Sequence, residues 1–413
     1  VPDRSAQNRT MTLPSLPPVS RRTLLALSSA TALAACASKP ALLIEPGRGS
    51  GDLGLVIERE SGSIGVLDTT ARTRLGTITG LGDLSHASVV FSRDGGRAYV
   101  FGRDGALTKV NLITGRIEGR VMQAGNSIGG AISTDGTLVV AQNYQPGGVK
   151  VFDARTLEPL ADIPAVVDGK ASRVVGLADI PRNRFIFSLF DAGQIWIADL
   201  ADPRKPQLTK FANIGKQPYD ALVSPDGRTY IAGLFGEDGL AKMDLWAPQP
   251  RVERILPNYG RGEQPLPVFK MPHLRGWSVA QGKAYLPAIG RHEVLIVDVA
   301  TWKEVGRIPV RGQPVFVMAR PDGRQIWVNF AFPDNGKVDV IDTLAGQVVH
   351  RMEPGKGILH MEFAPRGENV WLSARDDNKV VIYSTETFAK VGEIPADSPS
   401  GIFFTTRAAR TGF

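Results

Sequence analysis

Residues 92–111 read SRDGGRAYVFGRDGALTKVN, in which two Asp-Gly pairs flank a short run of β-forming residues. Asp-Gly at a two-residue turn supplies the positive φ that a tight β-hairpin requires. The run between the turns, Arg97 to Phe101, has the length and the residue types of a strand. The stretch therefore predicts a turn, a strand, a second turn and a further strand that ends at Asn111.

The end of this stretch recurs along the whole chain, because a polar residue following an apolar pair returns eight times. The steps between consecutive copies are 43, 42, 46, 45, 54, 44 and 41 residues. This interval is the period of a β-propeller blade, about 40–45 residues in the commonest families. The polar positions are Asp68, Asn111, Asp153, Asp199, Asp244, Asp298, Asp342 and Tyr383.

The repeat predicts an all-β protein, an eight-bladed β-propeller with four short strands in each blade. The first unit begins near Gly54 and lacks an innermost strand, whereas residues 402–406 are left over near the C-terminus. We expect this C-terminal strand to join the first blade, so that two open sheet edges disappear. The predicted organisation is an export signal over residues 1–36, a tether over 37–53, the propeller over 54–407 and a tail over 408–413.

The composition excludes several classes of protein. The chain has 413 residues and a formal net charge of +7, from 48 Lys and Arg against 41 Asp and Glu. No run of like charges gathers this excess, so an acidic small ligand or a generic basic surface explains it better than nucleic acid. With 43% hydrophobic residues, the chain is neither disordered nor collagen-like. A single cysteine leaves no structural disulfide, no Cys-pair haem attachment and no thiolate metal cluster.

A short apolar segment after paired arginines predicts export. With Met11 as the start, Ser20-Arg21-Arg22-Thr23-Leu24-Leu25 opens an apolar run through Leu33 that is too short to span a membrane. The run ends at Leu33-Ala34-Ala35-Cys36, which resembles the bacterial lipobox. We expect a periplasmic protein, exported by a twin-arginine-like or Sec signal and anchored to the membrane through a lipid on Cys36. An ordinary cleaved signal that happens to contain a cysteine is the alternative.

Equivalent positions near the start of each inner strand can be compared by counting back from the first turn of each blade. Nine residues before Gly95 stands His86, and nine before Gly282 stands His273. Loops that lead into inner strands ring the mouth of a propeller channel, so we expect both histidines there. Imidazole suits an iron or zinc ligand, or a general acid and base near neutral pH. The alternative is structural: each histidine bonds neighbouring loop backbone.

A second set lies seven residues before each turn, and the two-residue period of a strand places it on the same face. Its members are Ser88, Gly129, Gly176, Asp220, Arg275, Phe316 and His360. The second turns of the blades also face the mouth, and Arg103 and Arg375 in these turns could bind ligand carboxylates. Simple solvation of these arginines is the alternative. His350 falls in an outer strand and is interpreted as a surface residue.

Two of these segments resemble a known family. His86-Ala87-Ser88, followed by the Gly102-Arg103-Asp104 turn, resembles the start of the haem-d1 domain of the dissimilatory nitrite reductase of denitrifying bacteria. In that family the histidine is the axial iron ligand of an eight-bladed propeller. Pro272-His273-Leu274-Arg275 resembles the segment that bears one distal histidine. Met318 stands near the place of the second distal histidine, whose loss argues against nitrite reduction.

The chain has a lipobox where that nitrite reductase has a cytochrome c domain, and it has only part of the histidine set. In both respects it is similar to the NirF family of periplasmic accessory proteins needed to make haem d1. The resemblance implies binding of a late intermediate, dihydro-haem d1, and partnership with apo nitrite reductase and other haem d1 assembly proteins. It implies His86 as axial ligand of the haem iron and His273 as a distal catalytic acid-base group. We expect Arg103 and Arg275 to bind carboxylates of the ligand. Arg173, Tyr219 and His360 are expected as neighbouring residues of the binding site.

Two other classes of function stay open at this stage. One is a propeller enzyme, an oxidoreductase of the quinoprotein type or a lactonase, although lactonases usually have seven blades and quinoproteins usually carry a cysteine pair. The other is a non-catalytic interaction module displayed on the membrane. Whether a haem d1 protein of this kind catalyses a step or only carries the tetrapyrrole is likewise open.

Overall fold

The structure, a computed structural model, describes residues 43–44, 49–259 and 276–410. Over these residues the chain forms eight four-stranded antiparallel sheets, each of which is one blade. Within a blade, consecutive strands run from the centre outward and are joined by short turns. The predicted all-β, eight-bladed propeller is confirmed.

The first four blades follow one another in chain order. Blade 1 begins with β1 (Leu53–Glu58), β2 (Ser63–Asp68) and β3 (Thr73–Ile78). Blade 2 contains β4 (Ser88–Phe91), β5 (Arg97–Phe101), β6 (Ala106–Asn111) and β7 (Arg116–Met122). Blade 3 contains β8 (Asn126–Ile132), β9 (Leu138–Gln145), β10 (Gly148–Asp153) and β11 (Pro159–Ile163), and a small hairpin of β12 (Val166–Val167) and β13 (Lys170–Ala171) follows it. Blade 4 contains β14 (Val174–Ile180), β15 (Arg184–Leu189), β16 (Gln194–Asp199) and β17 (Gln207–Phe211).

The other four blades repeat this order. Blade 5 contains β18 (Pro218–Val223), β19 (Thr229–Leu234), β20 (Leu240–Asp244) and β21 (Val252–Ile255). Blade 6 contains β22 (Ser278–Ala280), β23 (Lys283–Ala288), β24 (Glu293–Asp298) and β25 (Lys303–Pro309). Blade 7 contains β26 (Pro314–Ala319), β27 (Gln325–Phe330), β28 (Val338–Asp342) and β29 (Gln347–Met352). Blade 8 contains β30 (Ile358–Phe363), β31 (Asn369–Ala374), β32 (Lys379–Ser384) and β33 (Lys390–Pro395).

Helical structure in the described ranges consists of short 3-10 turns at Ile289–Arg291, Arg375–Asp377 and Thr405–Ala409. None of the helices described here is long and apolar enough to cross a lipid bilayer.

The C-terminal strand closes the ring. It is β34 (Pro399–Phe404), which pairs antiparallel with β1 so that Gly54 lies opposite Phe404. Blade 1 is thereby completed by the end of the chain, as predicted. The strand ends before the predicted residue 406 because Thr405 begins a 3-10 turn, and Thr405 Oγ1 donates to the backbone oxygens of Ser50 (2.6 Å) and Leu53 (2.9 Å).

The Ser-x-Asp-Gly turns repeat because their side chains bond the turn internally. In blade 2, Ser92 Oγ donates to Asp94 Oδ1 at 2.5 Å, and the same carboxylate oxygen accepts the N–H of Gly96 at 3.0 Å. Gly95 has a φ of +66°, which a residue with a side chain rarely adopts. The turn at the start of each blade is therefore specified locally, which explains why its sequence marks the repeat.

Large aromatic side chains fill the space between neighbouring blades. Trp327 and Trp371 are 0% exposed. Trp371 contacts Phe404 of the closing strand edge-on, with ring centroids 5.4 Å apart. Burying one large apolar side chain contributes about 1.5–3 kcal/mol. Packing of this kind holds the inner strands in place around the centre of the ring.

Candidate functional site

The inner strands surround a central cavity of about 460 Å³, within the range of about 300–1,000 Å³ typical of small-molecule and cofactor sites. One end is lined by residues of the loops that enter inner strands, such as His86, and of the second turns, such as Arg375. We call this end the mouth. The other end, which we call the floor, is lined by Arg93, Arg407 and Arg410.

Five inner strands carry a β-bulge at the same place, just inside the mouth, and β8 is irregular there as well. Pairing with the second strand shifts register over Val175/Ala178 in β14, Pro218/Ala221 in β18, Pro314/Val317 in β26, Ile358/Met361 in β30 and Pro399/Ile402 in β34. A bulge interrupts the alternation of side chains along a strand. As a result, consecutive residues line the cavity, Tyr219 together with Asp220 and Leu359 together with His360. The two-residue period assumed from the sequence is therefore wrong at these positions.

Polar side chains of the second strands satisfy the backbone groups that the bulges leave unpaired. Asn329 Oδ1 accepts the N–H of Phe316 at 2.9 Å, and Ser373 Oγ accepts the N–H of His360 at 2.8 Å. Both side chains are nearly fully buried, Asn329 at 1% and Ser373 at 0% exposure. These two residues were not predicted from the sequence, although each is a polar residue inside an otherwise apolar run, which is the signal that identifies them.

His86 lies in the loop between β3 and β4 and lines the cavity at the mouth. Leu81 and Leu84 of this loop are buried in the core, and Asp83 Oδ1 accepts the N–H of Ser85 at 2.8 Å. These contacts hold the loop while His86 stays exposed. An accessible imidazole at this place is chemically suited to be an axial ligand of an iron that a macrocycle already holds.

Within the described ranges, no three His, Cys, Asp or Glu side chains are grouped so that they could hold a metal ion.

His360 has a fixed orientation inside the cavity. Its Nδ1 accepts the backbone N–H of Ile402, on the closing strand, at 3.2 Å. The ring also lies 5.6 Å from Phe316 and 5.6 Å from Phe403, measured between ring centroids. Because Nδ1 is an acceptor, the neutral ring carries its proton on Nε2. His360 is thus arranged as a hydrogen-bond donor at Nε2 and not as an iron ligand through that nitrogen.

An aromatic cluster forms the side of the mouth near blades 3 to 5. The hydroxyls of Tyr144 and Tyr219 lie 3.5 Å apart, and Tyr219 packs edge-on against Phe190 at 6.2 Å. Burial raises the pKa of both tyrosines above the ordinary value of 10.0. Both phenols therefore keep their protons at neutral pH and can donate hydrogen bonds. Tyr219 lies where a site residue was expected, and Tyr144 is an addition from the structure.

The two predicted rim arginines differ in their surroundings. Arg103 is exposed in the second turn of blade 2, and its backbone N–H donates to Asp83 O at 2.8 Å. Arg173 donates from Nη2 to Asp191 Oδ1 at 2.5 Å and from Nε to Oδ2 at 3.1 Å, and its guanidinium lies 4.2 Å from the Phe190 ring centroid. The charge of Arg173 is already compensated by Asp191, whereas the guanidinium of Arg103 makes no hydrogen bond or ion pair with the residues that the structure describes.

Arg103 and Arg173 are not among the residues that line the cavity, whereas two other arginines line it at the mouth. Arg375 begins the 3-10 turn Arg375–Asp377 between β31 and β32, and Arg59 lies in the turn between β1 and β2. Both turns are second turns and correspond to the turn that contains Arg103. Arg59 was missed because blade 1 has no inner strand of its own in chain order, so its second turn was not compared with the others.

The floor is closed by the segment that follows the closing strand. Arg407 donates to both carboxylate oxygens of Glu362, at 2.8 and 2.5 Å. Arg93 donates to the backbone oxygens of Ala408 (2.9 Å) and Arg410 (2.8 Å). These contacts tie the 3-10 turn Thr405–Ala409 across the lower end of the cavity.

Three predicted functional residues lie outside the described residues. They are His273 and Arg275, between β21 and β22, and Cys36, in the N-terminal segment. Their predicted roles stay predictions.

Comparisons with known proteins agree with this architecture. A family model described as the cytochrome D1 heme domain matches residues 48–408. The chain is 58% identical over 385 residues to Protein NirF of Pseudomonas aeruginosa, covering 92% of this chain and 97% of that protein. It is 56% identical over 394 residues to Protein NirF of Stutzerimonas stutzeri, covering 95% of this chain and 99% of that protein.

Among solved structures, the dihydro-heme d1 dehydrogenase NirN in complex with DHE is similar in fold, with a TM-score of 0.76 at 25% identity. The match covers 88% of this chain and 78% of that chain. The family model spans every blade described above, and the NirF proteins match over nearly the whole chain. This chain therefore belongs to the cytochrome D1 heme domain family, in which the NirF proteins are similar to it over nearly their full length.

Proposed function

We propose that this protein acts in haem d1 biosynthesis by binding dihydro-haem d1 at the mouth of the propeller. Family membership supports a d1-type tetrapyrrole as the ligand, and the solved NirN structure similar to this chain is described as a complex with DHE. The observation that carries the proposal is His86, an exposed imidazole at the rim of a central cavity of about 460 Å³.

The residues at the mouth fit such a ligand in three respects. His86 offers a nitrogen ligand for the iron, which would supply the redox chemistry of the bound group. Arg103 offers a guanidinium for a ligand carboxylate. The cluster of Tyr144, Tyr219 and Phe190 offers a partly buried aromatic surface against which a flat ring can pack.

The protein's own groups would then orient the ligand and hold protons near it. His360 presents an Nε2 donor whose direction is set by the Ile402 N–H, and Tyr219 presents a protonated hydroxyl. Both groups line the same cavity as His86. His273, for which the resemblance implies a distal acid-base role, is part of this proposal as well.

An absorption titration tests the proposal. Dihydro-haem d1 is added to the purified full-length wild-type protein and to the His86→Ala and His273→Ala variants, and the spectrum is recorded. We expect a shifted spectrum with the wild type, a changed iron spectrum with weaker binding for His86→Ala, and altered behaviour for His273→Ala. His350→Ala is the matched control, because His350 lies on the outer strand β29 and stacks on Phe388 at 4.3 Å.

The outcomes separate the hypotheses. No shift with the wild type would contradict tetrapyrrole binding and favour an interaction module. A shift that is identical in His86→Ala would remove His86 as the axial ligand. A slow change of the bound spectrum would identify a catalysed step, whereas a stable spectrum that disappears when apo nitrite reductase is added would identify a carrier that hands the tetrapyrrole on.

We also propose that the protein works in the periplasm, tethered by a lipid on Cys36. The apolar run after Arg21-Arg22 and the lipobox-like end at Cys36 support this proposal. Fractionation of cells that produce the wild type or Cys36→Ser tests it. The wild type should be found with membranes, and Cys36→Ser should be found in the soluble periplasm; equal distribution of the two would contradict the lipid anchor.

A further inference from the structure

Ser88, Gly129 and Gln142 meet at one place on the cavity wall, between blades 2 and 3. Ser88 begins the inner strand β4, and Gly129 of the inner strand β8 lies opposite Gln142 of β9. Because Gly129 has no side chain, the side chain of Gln142 can reach the cavity, which it lines. A Cβ on Gly129 would lie 3.0 Å from Ser88 Oγ and 3.2 Å from Gln142 Nε2. The hydroxyl and the amide group are therefore close together, beside space that the glycine leaves free.

The amide group of Gln142 has a fixed orientation. Its Oε1 accepts the backbone N–H of Leu177 at 3.0 Å, and Leu177 lies within the bulge of β14 in blade 4. An N–H group can bond only the oxygen of a side-chain amide, so the other end of the amide is the NH2 donor, Nε2. Gln142 is 6% exposed. The direction of this donor is thus set by the protein before any ligand binds.

The two donors, Ser88 Oγ and Gln142 Nε2, make no hydrogen bond with the part of the chain that the structure describes. Ser88 Oγ is buried there without a partner. The side chain of Gln142 bonds to these residues through Oε1 and not through Nε2. A buried donor without an acceptor destabilises a protein, and native proteins keep few such groups. Two of them side by side on a cavity wall indicate that a ligand supplies the acceptor.

The chemistry of these donors differs from that of the charged groups on the same wall. A hydroxyl and an amide are neutral, whereas Arg59 and Arg375 carry full charges. Neutral donors do not compensate the charge of a buried carboxylate, but they fully satisfy a neutral acceptor. A carbonyl oxygen has two lone pairs and can accept from two donors at once. A carbonyl oxygen is therefore the acceptor that this pair matches.

We propose that Ser88 and Gln142 form a subsite for a neutral carbonyl oxygen at the edge of the ligand. In the function proposed above, on which this part rests, that oxygen is a ring carbonyl of dihydro-haem d1. Ser88 stands two residues after His86, so one short segment offers both the iron ligand and a carbonyl donor. The subsite distinguishes a tetrapyrrole with ring carbonyls from haems that carry only carboxylates and hydrocarbon groups.

The first experiment needs no tetrapyrrole and measures the Tm of the full-length protein. Ser88→Ala should raise the Tm, because it removes a buried hydroxyl that has no acceptor. Ser278→Ala is the matched control and should lower the Tm, since Ser278 is 6% exposed and its Oγ donates to Val317 O. A fall of the Tm in Ser88→Ala like that of the control would overturn the subsite, because the protein would then satisfy this hydroxyl by itself.

The second experiment records the carbonyl stretching band of bound dihydro-haem d1 by resonance Raman spectroscopy. A hydrogen bond lowers this frequency, so we expect the band of the wild-type complex below that of the free ligand. Gln142→Glu keeps an oxygen for the Leu177 N–H but replaces the NH2 donor, and Ser88→Ala removes the hydroxyl. In both variants the band should return toward its free position, while Ser278→Ala should match the wild type.

A third variant fills the space beside the two donors. Gly129→Ala places a methyl group against Ser88 Oγ and Gln142 Nε2. It should weaken binding of dihydro-haem d1 about tenfold, or about 1.4 kcal/mol, and the carbonyl band of the remaining complex should equal that of the free ligand. Wild-type affinity with a wild-type band in Gly129→Ala would contradict the subsite.

The outcomes separate the subsite from the proposed function. A higher Tm of Ser88→Ala, with no binding of dihydro-haem d1 by the wild type, would contradict the proposed function and support a carbonyl subsite for another ligand. Binding with a carbonyl band that Gln142→Glu and Ser88→Ala leave unchanged would overturn the subsite and leave the proposed function standing. If Gln142→Glu does not fold, the band of Ser88→Ala decides in the same way.

Discussion

The floor and the mouth of the cavity use arginine in opposite ways. At the floor, Arg407 is bidentate with Glu362, and Arg93 donates to four different backbone oxygens and lies 3.5 Å from Asp179. At the mouth, the guanidinium groups of Arg59 and Arg103 have no such partners among the described residues. Arg93 and Arg407 therefore hold the fold together, and Arg59 and Arg103 are the mouth arginines that we expect to bind a ligand.

Residue type and register identify the end of the propeller at which an arginine lies, but not what the arginine does there. Arg173 shows this, because it lies on the mouth side and is nevertheless held by Asp191. An arginine becomes a candidate ligand contact only when no protein carboxylate compensates its charge. Substitutions at the floor should therefore change stability, and substitutions at the mouth should change ligand binding.

The largest expected effect comes from removing the closing strand. Deletion of residues 399–413 takes away β34 and the floor, and it leaves β1 as an open edge. We expect loss of the cooperative thermal transition, measured by circular dichroism and calorimetry. Deletion of residues 405–413 keeps β34 and should give a folded but less stable protein; an unchanged Tm in the longer deletion would refute the closure.

A large effect is also expected from breaking the floor ion pair. Glu362→Ala leaves Arg407 without its carboxylate, and the side chains of the pair are only 8% and 16% exposed. Removing one partner of a buried pair costs about 3–5 kcal/mol. Denaturant unfolding should show this loss, while dihydro-haem d1 should still shift its spectrum on binding. Loss of binding with unchanged stability would reverse the roles assigned to floor and mouth.

A moderate effect on binding should separate two arginines of the mouth. Arg103→Gln should weaken binding of dihydro-haem d1 about tenfold, because a charge-assisted hydrogen bond contributes about 1.5–3 kcal/mol. Arg173→Gln is the matched control and should change affinity less than about twofold, since Asp191 already holds that guanidinium. Equal losses of affinity in both variants would show that the ion pair between Arg173 and Asp191 does not decide whether an arginine can bind the ligand.

The smallest effect concerns pH and a turn on the floor side. Burial raises the pKa of Asp135, but hydrogen bonds from Ser133, Thr137 and Asn183 outweigh it and lower the pKa from 3.8 to about 2. A lowered pKa stabilises the fold above pH 4, and this stabilisation is lost as the pH falls toward 2.

Replacing Asp135 tests whether its ionised carboxylate stabilises the fold near neutral pH. Asp135→Asn should lower the free energy of unfolding at pH 7 by about 1 kcal/mol or less. It should also make the Tm less sensitive to acid between pH 4 and 2. Binding at the mouth should be unchanged. A variant that is as acid-sensitive as the wild type would show that Asp135 does not contribute to the pH dependence.

Much of the fold was predictable because its signals are local. The Ser92-to-Gly95 turn bonds itself, and the recurring polar positions such as Asp68 bond the turn that follows them, with Asp68 Oδ1 accepting the N–H groups of Thr70 and Ala71. Spacing between such turns counts the blades directly. The position of His86 at the mouth was predicted in the same way, because it stands nine residues before Gly95 in the first turn of its blade.

The rest of the candidate site was not predictable from spacing. The bulges in β14, β18, β26 and β30 bring consecutive residues to the cavity, and their backbone groups bond side chains on other strands, as Phe316 does with Asn329. Tyr144 meets Tyr219 across 75 residues of chain, and the second turns of blades 1 and 8 bring Arg59 and Arg375 to the same cavity. No local pattern contains these pairs.

The residues alone thus determine the number of blades, the closure by the C-terminal strand and the register of His86, because turns and strand lengths are set by neighbours in the chain. Only the folded ring determines which arginines at the mouth already pair with a carboxylate of the protein. Each arginine could pair with a carboxylate far away in sequence, as Arg407 does with Glu362 over 45 residues, and only the assembled blades determine whether that carboxylate is within reach.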